Sequence, residues 1–176
     1  MILLKIDLEK LRLGIREILE FHFNNPGTDE YLKELGAKYQ ENLKVDIKVE
    51  RTGRFYLARG RVTSVLELQC SRCLERFYYP IEVEFHLNLV ESQLKKEFTL
   101  DEEVIFFDRD EIDIQPFIEQ LVFSEIPFAP ICKAECKGLC VECGTNQNLS
   151  QCHCRHENTD PRWDRLKDLK AGKEVT

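Results

Sequence analysis

The sequence predicts an α+β protein built on a bent, barrel-like antiparallel β-sheet, with packed helices and a cysteine-rich module towards its C-terminal end. Three observations lead to this fold class. Apolar and polar residues alternate through most of residues 43–90, which is typical of strands with one buried face. Apolar residues recur with helical spacing over 114–122. Six of the eight cysteines fall within residues 132–154.

The size and composition of the chain favour one folded domain with a small appendage. The chain has 176 residues, of which 43% are hydrophobic, and 11 Phe with 5 Tyr supply bulky core material. A wholly disordered chain is therefore excluded. We divide the chain into an N-terminal helical segment over 1–42, a core of antiparallel sheet plus helix over 43–130, and a cysteine-rich module with a C-terminal helix over 131–176.

Charge and hydropathy narrow the class of protein further. The net charge is −7, so binding to a nucleic acid would need a local basic patch. The sequence contains no apolar run of about 18 residues, the length that spans a membrane. Only a few apolar residues precede Lys5, whereas a secretory signal needs an apolar stretch of roughly 7–15 residues. We therefore expect a cytoplasmic protein with no membrane partner, whose thiols are kept reduced.

The first 42 residues have the weakest pattern. Apolar residues recur there at helical spacing up to a break at 24–27, and these residues are Leu8, Leu11, Ile15, Ile18 and Leu19. Residues 11–15 also alternate, so a strand stays open as an alternative to the helix that we prefer. A short second helix is predicted over 31–39, interrupted by Gly36.

The alternating residues 43–90 predict an antiparallel meander with one buried face. We expect a turn at 52–53, a bulge at Gly60 and a break at 70–73, after which alternation resumes. A short strand is predicted at 104–107. The meander should therefore supply most of the core.

Two helices are predicted after the meander. Asp113 is the candidate N-cap of the first helix, which has Pro116 in its first turn, ends before Pro127 and should lie on the sheet. The pair Asp160-Pro161 is typical of the start of a second helix. The apolar side of that helix would consist of Trp163, Leu166 and Leu169.

The cysteine spacing indicates bound metal. The candidate ligands are Cys70, Cys73, Cys132, Cys136, Cys140, Cys143, Cys152 and Cys154. Two thiolates two residues apart can grip one metal ion from a tight turn, and a second pair completes a tetrahedral four-sulfur zinc site. We predict two such sites. One is local to 140–154, and in the other Cys70 and Cys73 join Cys132 and Cys136.

Two glycines and two histidines bear on these sites. Gly138 and Gly144 favour zinc knuckles, because such turns need backbone conformations without a Cβ penalty. His153 and His156 are spare nitrogen ligands that can replace one cysteine. A closed four-sulfur shell leaves no open position for a substrate, so we expect both zinc ions to be structural.

Other interpretations of the cysteines stay open. Cys70 and Cys73 can be ordinary thiols at the end of a strand, or a thiol–disulfide redox pair. A β-meander, however, is not the strand–helix context of a thioredoxin motif. Four cysteines can also hold an iron–sulfur cluster, although the spacing lacks the ferredoxin patterns.

Nothing in the sequence indicates an enzyme or a small-molecule substrate. The nucleotide-binding glycine motifs, the zinc-protease motif and the serine-hydrolase motif are absent. The four histidines either stand alone or lie beside cysteines. We therefore predict a protein that is not an enzyme.

The candidate surface for a polyanion lies within residues 44–61. Its basic residues are Lys44, Lys48, Arg51, Arg54, Arg59 and Arg61. They face only Asp46 and Glu50 within that range, and the alternative interpretation is an ordinary charged face of a sheet. The acidic residues of 91–125 are instead suited to a basic protein partner, such as a ribosomal protein.

A set of ordered motifs resembles the YceD family, the bacterial and plastid large ribosomal RNA subunit accumulation proteins. The motifs are Cys-x-Arg-Cys-Leu at 70–74, Ile112-Asp113-Ile114, Glu125-Ile-Pro127, Cys136-Lys-Gly-Leu-Cys140-Val-Glu-Cys143-Gly144, Asn148-Leu149, Cys152-His-Cys154 and Asp160-Pro161-Arg162. The resemblance covers about 43–170, and the first 42 residues match poorly.

The resemblance implies a non-enzymatic factor needed for normal amounts of 23S ribosomal RNA, with no active site to carry over. We expect it to bind precursor ribosomal RNA or an assembling large-subunit particle. The rival interpretation is a zinc-scaffolded adaptor that docks a ribosomal protein without touching RNA.

Overall fold

A computed structural model describes residues 4–28, 30–97 and 103–154 of the chain. The strands are β1 (Lys5–Asp7), β2 (Ile18–Asn25), β3 (Lys38–Tyr39), β4 (Leu43–Thr52), β5 (Phe55–Gln69), β6 (Arg76–Glu91), β7 (Val104–Phe107) and β8 (Glu111–Asp113). The helices are α1 (Glu9–Arg12) and α2 (Gln115–Ser124), with 3-10 turns at Lys33–Leu35 and Ser92–Glu97.

The main sheet has the strand order β2-β4-β5-β6-β7, and β3 pairs with β5 beyond the end of β4. The antiparallel meander predicted for 43–90 is confirmed by the pairing of β4 with β5 and of β5 with β6. The pair β6–β7 is parallel, however, so the sheet is mixed. Within the described residues β2 and β7 do not pair with each other, and the sheet is not closed into a barrel.

Gly60 lies in the middle of β5, where the sequence predicted a bulge. That prediction is wrong, because pairing runs without interruption through Gly60 on both sides, opposite Ile47 and Phe85. A Cβ at Gly60 would lie 2.5 Å from the Phe85 ring and 2.6 Å from the Asp46 carbonyl oxygen. Glycine is present because another side chain fills the space that its own would need.

The core lies between the inward face of the main sheet, α2 and the small β1–β8 sheet. Ile118 and Val122 of α2 are fully buried, and the Phe117 ring packs edge-to-face on Phe85 with the ring centroids 5.4 Å apart. The helix predicted to lie on the sheet is therefore confirmed. Its N-cap is Ile114 rather than Asp113, whose carboxylate accepts a hydrogen bond from the backbone N–H of Gln115 at 2.9 Å.

The prediction that residues 1–42 form a helical segment is wrong for most of that segment. The first helix is limited to the four residues of α1, and residues from Ile18 onwards form β2 along the edge of β4. The second helix is a 3-10 turn that ends at Gly36, which has a φ of +63°. The local spacing of apolar residues was ambiguous between helix and strand, and pairing with β4 determined that residues 18–25 form a strand. The helix predicted to start at 160 lies outside the described residues.

Candidate metal centres

The eight cysteines converge in two groups of four. The first group contains Cys70, Cys73, Cys132 and Cys136, and the second contains Cys140, Cys143, Cys152 and Cys154. Within each group all Sγ atoms lie within 4.8 Å of one another. These are the two groupings that the spacing predicted. All eight thiols are free, and no disulfide competes for them.

The sulfur separations in the first group match the geometry of a metal tetrahedron. The Sγ atoms of Cys70 and Cys136 are 3.8 Å apart, and those of Cys73 and Cys132 are 3.7 Å apart. A tetrahedral site with Zn–S bonds of about 2.3 Å has sulfur–sulfur edges of about 3.8 Å. A disulfide would need about 2.05 Å. Two of the six edges thus have the tetrahedral length and the others are no longer than 4.8 Å, so the group could hold one metal ion.

The first knuckle is the turn that joins β5 to β6. The backbone N–H of Leu74 donates to the Cys70 carbonyl oxygen at 2.9 Å, and the N–H of Cys70 donates to the Glu75 carbonyl oxygen at 2.9 Å. Leu74 has a φ of +61°, in the left-handed region. These bonds hold both thiols on the same side of the turn.

The second knuckle repeats this arrangement in the C-terminal module. The N–H of Gly144 donates to the Cys140 carbonyl oxygen at 2.9 Å, and the N–H of Cys140 donates to the Thr145 carbonyl oxygen at 2.8 Å. Gly144 has a φ of +72°. Sequence reasoning recognised this glycine as a knuckle residue. It missed Leu74, because a leucine in a left-handed conformation has no sequence signal.

Two backbone hydrogen bonds and one from the Arg72 side chain attach the C-terminal module to the first knuckle. The N–H of Ser71 donates to the Pro130 carbonyl oxygen at 2.8 Å, and the Arg72 guanidinium donates to the Cys136 carbonyl oxygen at 3.1 Å. The N–H of Leu139 donates to the Arg72 carbonyl oxygen at 3.0 Å. These contacts bring cysteines that are far apart in sequence into the first group.

Asn148 connects the two groups, and its role at the site was missed from sequence. Its side-chain amide donates to the Cys136 Sγ at 3.4 Å, although Asn148 lies in the loop between Cys143 and Cys152 of the second group. Its side-chain oxygen accepts from the backbone N–H of Lys137 at 3.0 Å. Hydrogen bonds of this kind orient metal ligands and tune their charge.

The thiols within each group differ in pKa. Burial opposes ionisation of Cys70, but backbone N–H groups, that of Cys132 first, lower its pKa to about 6. Burial and the neighbouring sulfurs, first that of Cys136, raise the pKa of Cys132 to about 12. Thiolates this close repel one another, so an added positive charge would favour loss of the remaining protons.

The second group shows the same division. Hydrogen bonding to the side chain and then the backbone of Thr145 lowers the pKa of Cys143 to about 6. Hydrogen bonding to Cys143 and burial raise the pKa of Cys154 to about 12. The ligand atoms that converge are four sulfurs, and the His153 imidazole is not among them. His156 lies outside the described residues.

The predicted basic patch is exposed, but half of it is paired with carboxylates. Its six residues are Lys44, Lys48, Arg51, Arg54, Arg59 and Arg61. Arg61 pairs with Glu82 at 2.7 Å and with Glu84 at 2.5 Å, because both glutamates lie on the neighbouring strand β6. The structure therefore does not bring the six residues together as an uninterrupted basic surface.

Two of the other five members of the patch also pair with carboxylates, and three do not within the described residues. Arg54 pairs with Glu97 at 2.8 Å, and Arg59 lies 3.7 Å from Glu50. The residues without a carboxylate partner in the described part of the chain are Lys44, Lys48 and Arg51. Glu50 lies within 44–61, but the other three partners, Glu82, Glu84 and Glu97, follow later in the chain and could not be assigned from the sequence.

An open, mixed β-sheet that carries two four-cysteine clusters defines a protein with two candidate structural metal centres. Comparison with known proteins places this architecture in a family. The model of the family described as "Large ribosomal RNA subunit accumulation protein YceD" matches residues 58–170, which include all eight cysteines. The chain belongs to the YceD family.

Similar proteins occur in mycobacteria and plants. An uncharacterized protein of Mycobacterium leprae is 32% identical over 130 residues, which are 73% of this chain and 59% of that protein. The chloroplastic large ribosomal RNA subunit accumulation protein YCED homolog 1 is 28% identical in Arabidopsis thaliana and 31% identical in Zea mays. The alignments cover 73% and 72% of this chain, and 48% and 53% of the plant proteins.

The alignments cover only part of the length of the relatives. The chain spans about three fifths of the mycobacterial proteins and about half of the plant proteins. No solved structure matches the chain significantly. In the described part of the chain, no helix has the length and apolar character needed to cross a membrane.

Proposed function

We propose that this protein is a non-enzymatic factor that promotes the accumulation of 23S ribosomal RNA by binding precursor ribosomal RNA or a large-subunit assembly intermediate. The observation that carries this proposal is the family match over 58–170. The names of the two plant relatives support it. In this proposal the protein acts by binding its target rather than by catalysing a reaction on it.

In this proposal the two cysteine groups hold two structural zinc ions. Four thiols are the donor set of a closed structural zinc site, which keeps no position open for a substrate. The segment 130–154 has few buried apolar residues of its own, so metal–sulfur bonds would supply the energy that holds it in one conformation. The zinc ions would therefore build a rigid recognition module at one end of the sheet.

Direct contact with RNA would involve the three basic residues that lack carboxylate partners in the described part of the chain. Lys44 and Lys48 point outwards from β4, and Arg51 lies exposed near its end. Lysine and arginine side chains bind phosphate through charge, so the contact would weaken as salt increases. The paired arginines would contribute less, because breaking their ion pairs opposes binding.

Charge reversal distinguishes these two sets of residues. Reversing Lys44, Lys48 and Arg51 to Glu should abolish crosslinking to RNA, whereas the same charge change at the paired Arg54, Arg59 and Arg61 should reduce it less. Equal effects of the two sets, or no effect of the first, would contradict the proposed RNA contact.

A specific groove favours the second candidate function, a protein adaptor. The groove has a volume of about 640 Å³ and is lined by Glu30, Tyr31, Glu34, Pro116, Glu119, Gln120 and Phe123. Tyr31 and Phe123 are about half exposed, at 58% and 45%. Carboxylates beside exposed aromatic rings suit the lysine and arginine side chains of a basic protein segment.

The decisive experiment is ultraviolet crosslinking in the native cell, followed by sequencing of the attached RNA. A sharp peak in the 23S precursor supports direct RNA binding. A flat profile, with the protein still sedimenting with large-subunit precursors, supports the adaptor, which should also keep its bound protein in a pull-down after nuclease treatment. In that case Glu34→Lys should release the protein from the particle, and the reversals on β4 should not.

A further inference from the structure

The outer edge of the main sheet is formed by β2. All eight residues of β2 pair with β4 on one side, and no strand of the described part of the chain pairs with the other side. Natural sheets protect such an edge with proline, bulges, several charges or a covering segment. β2 contains no proline and no bulge, and its only acidic or basic residue besides His22 is Glu20.

The inward face of β2 is also incompletely covered. Leu19, Phe21 and Phe23 are only half-buried, and the Phe21 and Phe23 rings lie parallel with centroids 6.4 Å apart. Their partners on β4 are Val49, Ile47 and Val45, and all three of those residues are buried. The apolar core therefore reaches the sheet edge and stops with aromatic rings partly in solvent.

We propose that this edge pairs with β2 of a second copy of the chain, forming a symmetric dimer with one continuous sheet. The strands run antiparallel, and Phe21 lies opposite Phe21 of the second copy on the twofold axis. A twofold interface uses the same patch on both subunits, so the strand must be complementary to itself. The sequence of β2 meets this condition.

The register follows from which side chains meet. In antiparallel strands, directly opposite residues lie on the same face, so inward residues must oppose inward residues. With Phe21 on the axis, Leu19 opposes Phe23 of the second copy. On the outer face Glu20 opposes His22 of the second copy, which places a carboxylate beside an imidazole twice.

The neighbouring registers are worse. A shift in one direction places His22 opposite His22 and sets Leu19 against the polar Asn25. A shift in the other direction places Glu20 opposite Glu20, and like charges directly opposite each other are destabilising. The register centred on Phe21 pairs the inward Leu19, Phe21 and Phe23 with one another and acid with imidazole, although Ile18 then opposes Asn24 on the outer face.

The test is analytical ultracentrifugation of the full chain over a range of concentrations, with two substitutions at His22. This side chain is well exposed, at 71%, and its Nδ1 lies 2.6 Å from the Asp46 carboxylate. His22→Glu puts two carboxylates opposite Glu20 residues and should weaken the dimer about tenfold. His22→Lys places a positive charge beside both Asp46 and Glu20, so it should leave the dimer intact.

A third variant tests the axis itself. Phe21→Lys places two ammonium groups opposite each other and should give a monomer at all concentrations, with its thermal unfolding recorded as a check on folding. The proposal is overturned if the unmodified chain is a monomer at every concentration. It is also overturned if His22→Glu and His22→Lys dimerise equally well, a comparison that does not depend on whether Phe21→Lys folds.

Discussion

Leu74 and Gly144 occupy equivalent positions in the two cysteine knuckles. Each follows the second cysteine of a Cys-x2-Cys pair, has a positive φ of +61° or +72°, and donates its N–H at 2.9 Å to the carbonyl oxygen of the first cysteine. Only glycine adopts this conformation without a steric penalty from Cβ. The first knuckle is therefore strained where the second is not.

Exchanging these residues should change stability in opposite directions. Gly144→Leu should lower the free energy of unfolding by about 1 kcal/mol, because the added Cβ meets no neighbour but must adopt a left-handed conformation. Leu74→Gly should raise it by a smaller amount, because relief of strain is partly offset by the greater entropy of glycine in the unfolded chain. Urea unfolding of the metal-loaded protein measures both, and a loss of stability in Leu74→Gly would contradict the assigned strain.

Gly60 should tolerate no larger residue. Gly60→Ala should destabilise the protein by about 1–3 kcal/mol, because the new methyl group would overlap the Phe85 ring and the Asp46 carbonyl. Phe85→Leu in the same chain should recover part of that loss, since a smaller side chain frees space. Thermal unfolding of the two single variants and the double variant gives the coupling. Additive effects would mean that the ring is not the cause.

Removing metal should loosen the C-terminal module before the sheet. Freshly purified protein should contain two zinc ions per chain, and each structural site contributes roughly 10–16 kcal/mol of apparent binding free energy at neutral pH. After chelation, amide exchange should accelerate at Leu139, whose N–H donates to the Arg72 carbonyl oxygen of the first knuckle, and at Gly144, whose hydrogen bond lies within the module. The amides of β4 and β5 should remain protected.

The two sites should be separable by mutation. The double variant Cys140→Ser with Cys143→Ser should retain one zinc ion at the first group, because that group takes all four ligands from other residues. Elemental analysis provides the count. Zinc-free wild-type protein with eight freely titrating thiols would exclude the metal proposal.

Asn148 should control how tightly the first site holds its ion. Asn148→Ala removes the hydrogen bonds to the Cys136 sulfur and to the Lys137 backbone N–H, and should weaken zinc binding by about tenfold. Competition with a chromophoric chelator measures this affinity. Gln147→Ala is the matched control. Gln147 donates its backbone N–H to the Gly138 carbonyl oxygen, and this hydrogen bond survives the substitution, so the variant should bind zinc as tightly as the wild type.

Local spacing was sufficient for the elements whose pattern is set within one segment. Alternation predicted β4, β5 and β6, and helical spacing predicted α2. The spacing of the cysteines also predicted the two groups, because a Cys-x2-Cys pair can present both sulfurs to one ion from a single turn. The second group lies within one stretch of 15 residues, 140–154, so its assembly needs little from the rest of the fold.

The N-terminal segment shows where local spacing was insufficient. Helical spacing over 8–19 was the preferred interpretation, with alternation over 11–15 as the alternative, and pairing with the edge of β4 instead makes Ile18–Asn25 the strand β2. Gly60 and Asn148 were misread or missed for a similar reason. Their roles depend on Phe85 and Cys136, which lie 25 and 12 residues away and come close only in the folded chain.

The basic patch shows which properties follow from the sequence and which depend on the tertiary structure. The sequence by itself determined that six basic residues lie close together in the chain, and that their strands would be exposed on one face. Only the tertiary structure decided that Arg54 and Arg61 lie against glutamates of later segments. Charge is additive along a sequence, whereas the field at a surface depends on which strands are neighbours, and the register of the folded sheet determines those neighbours.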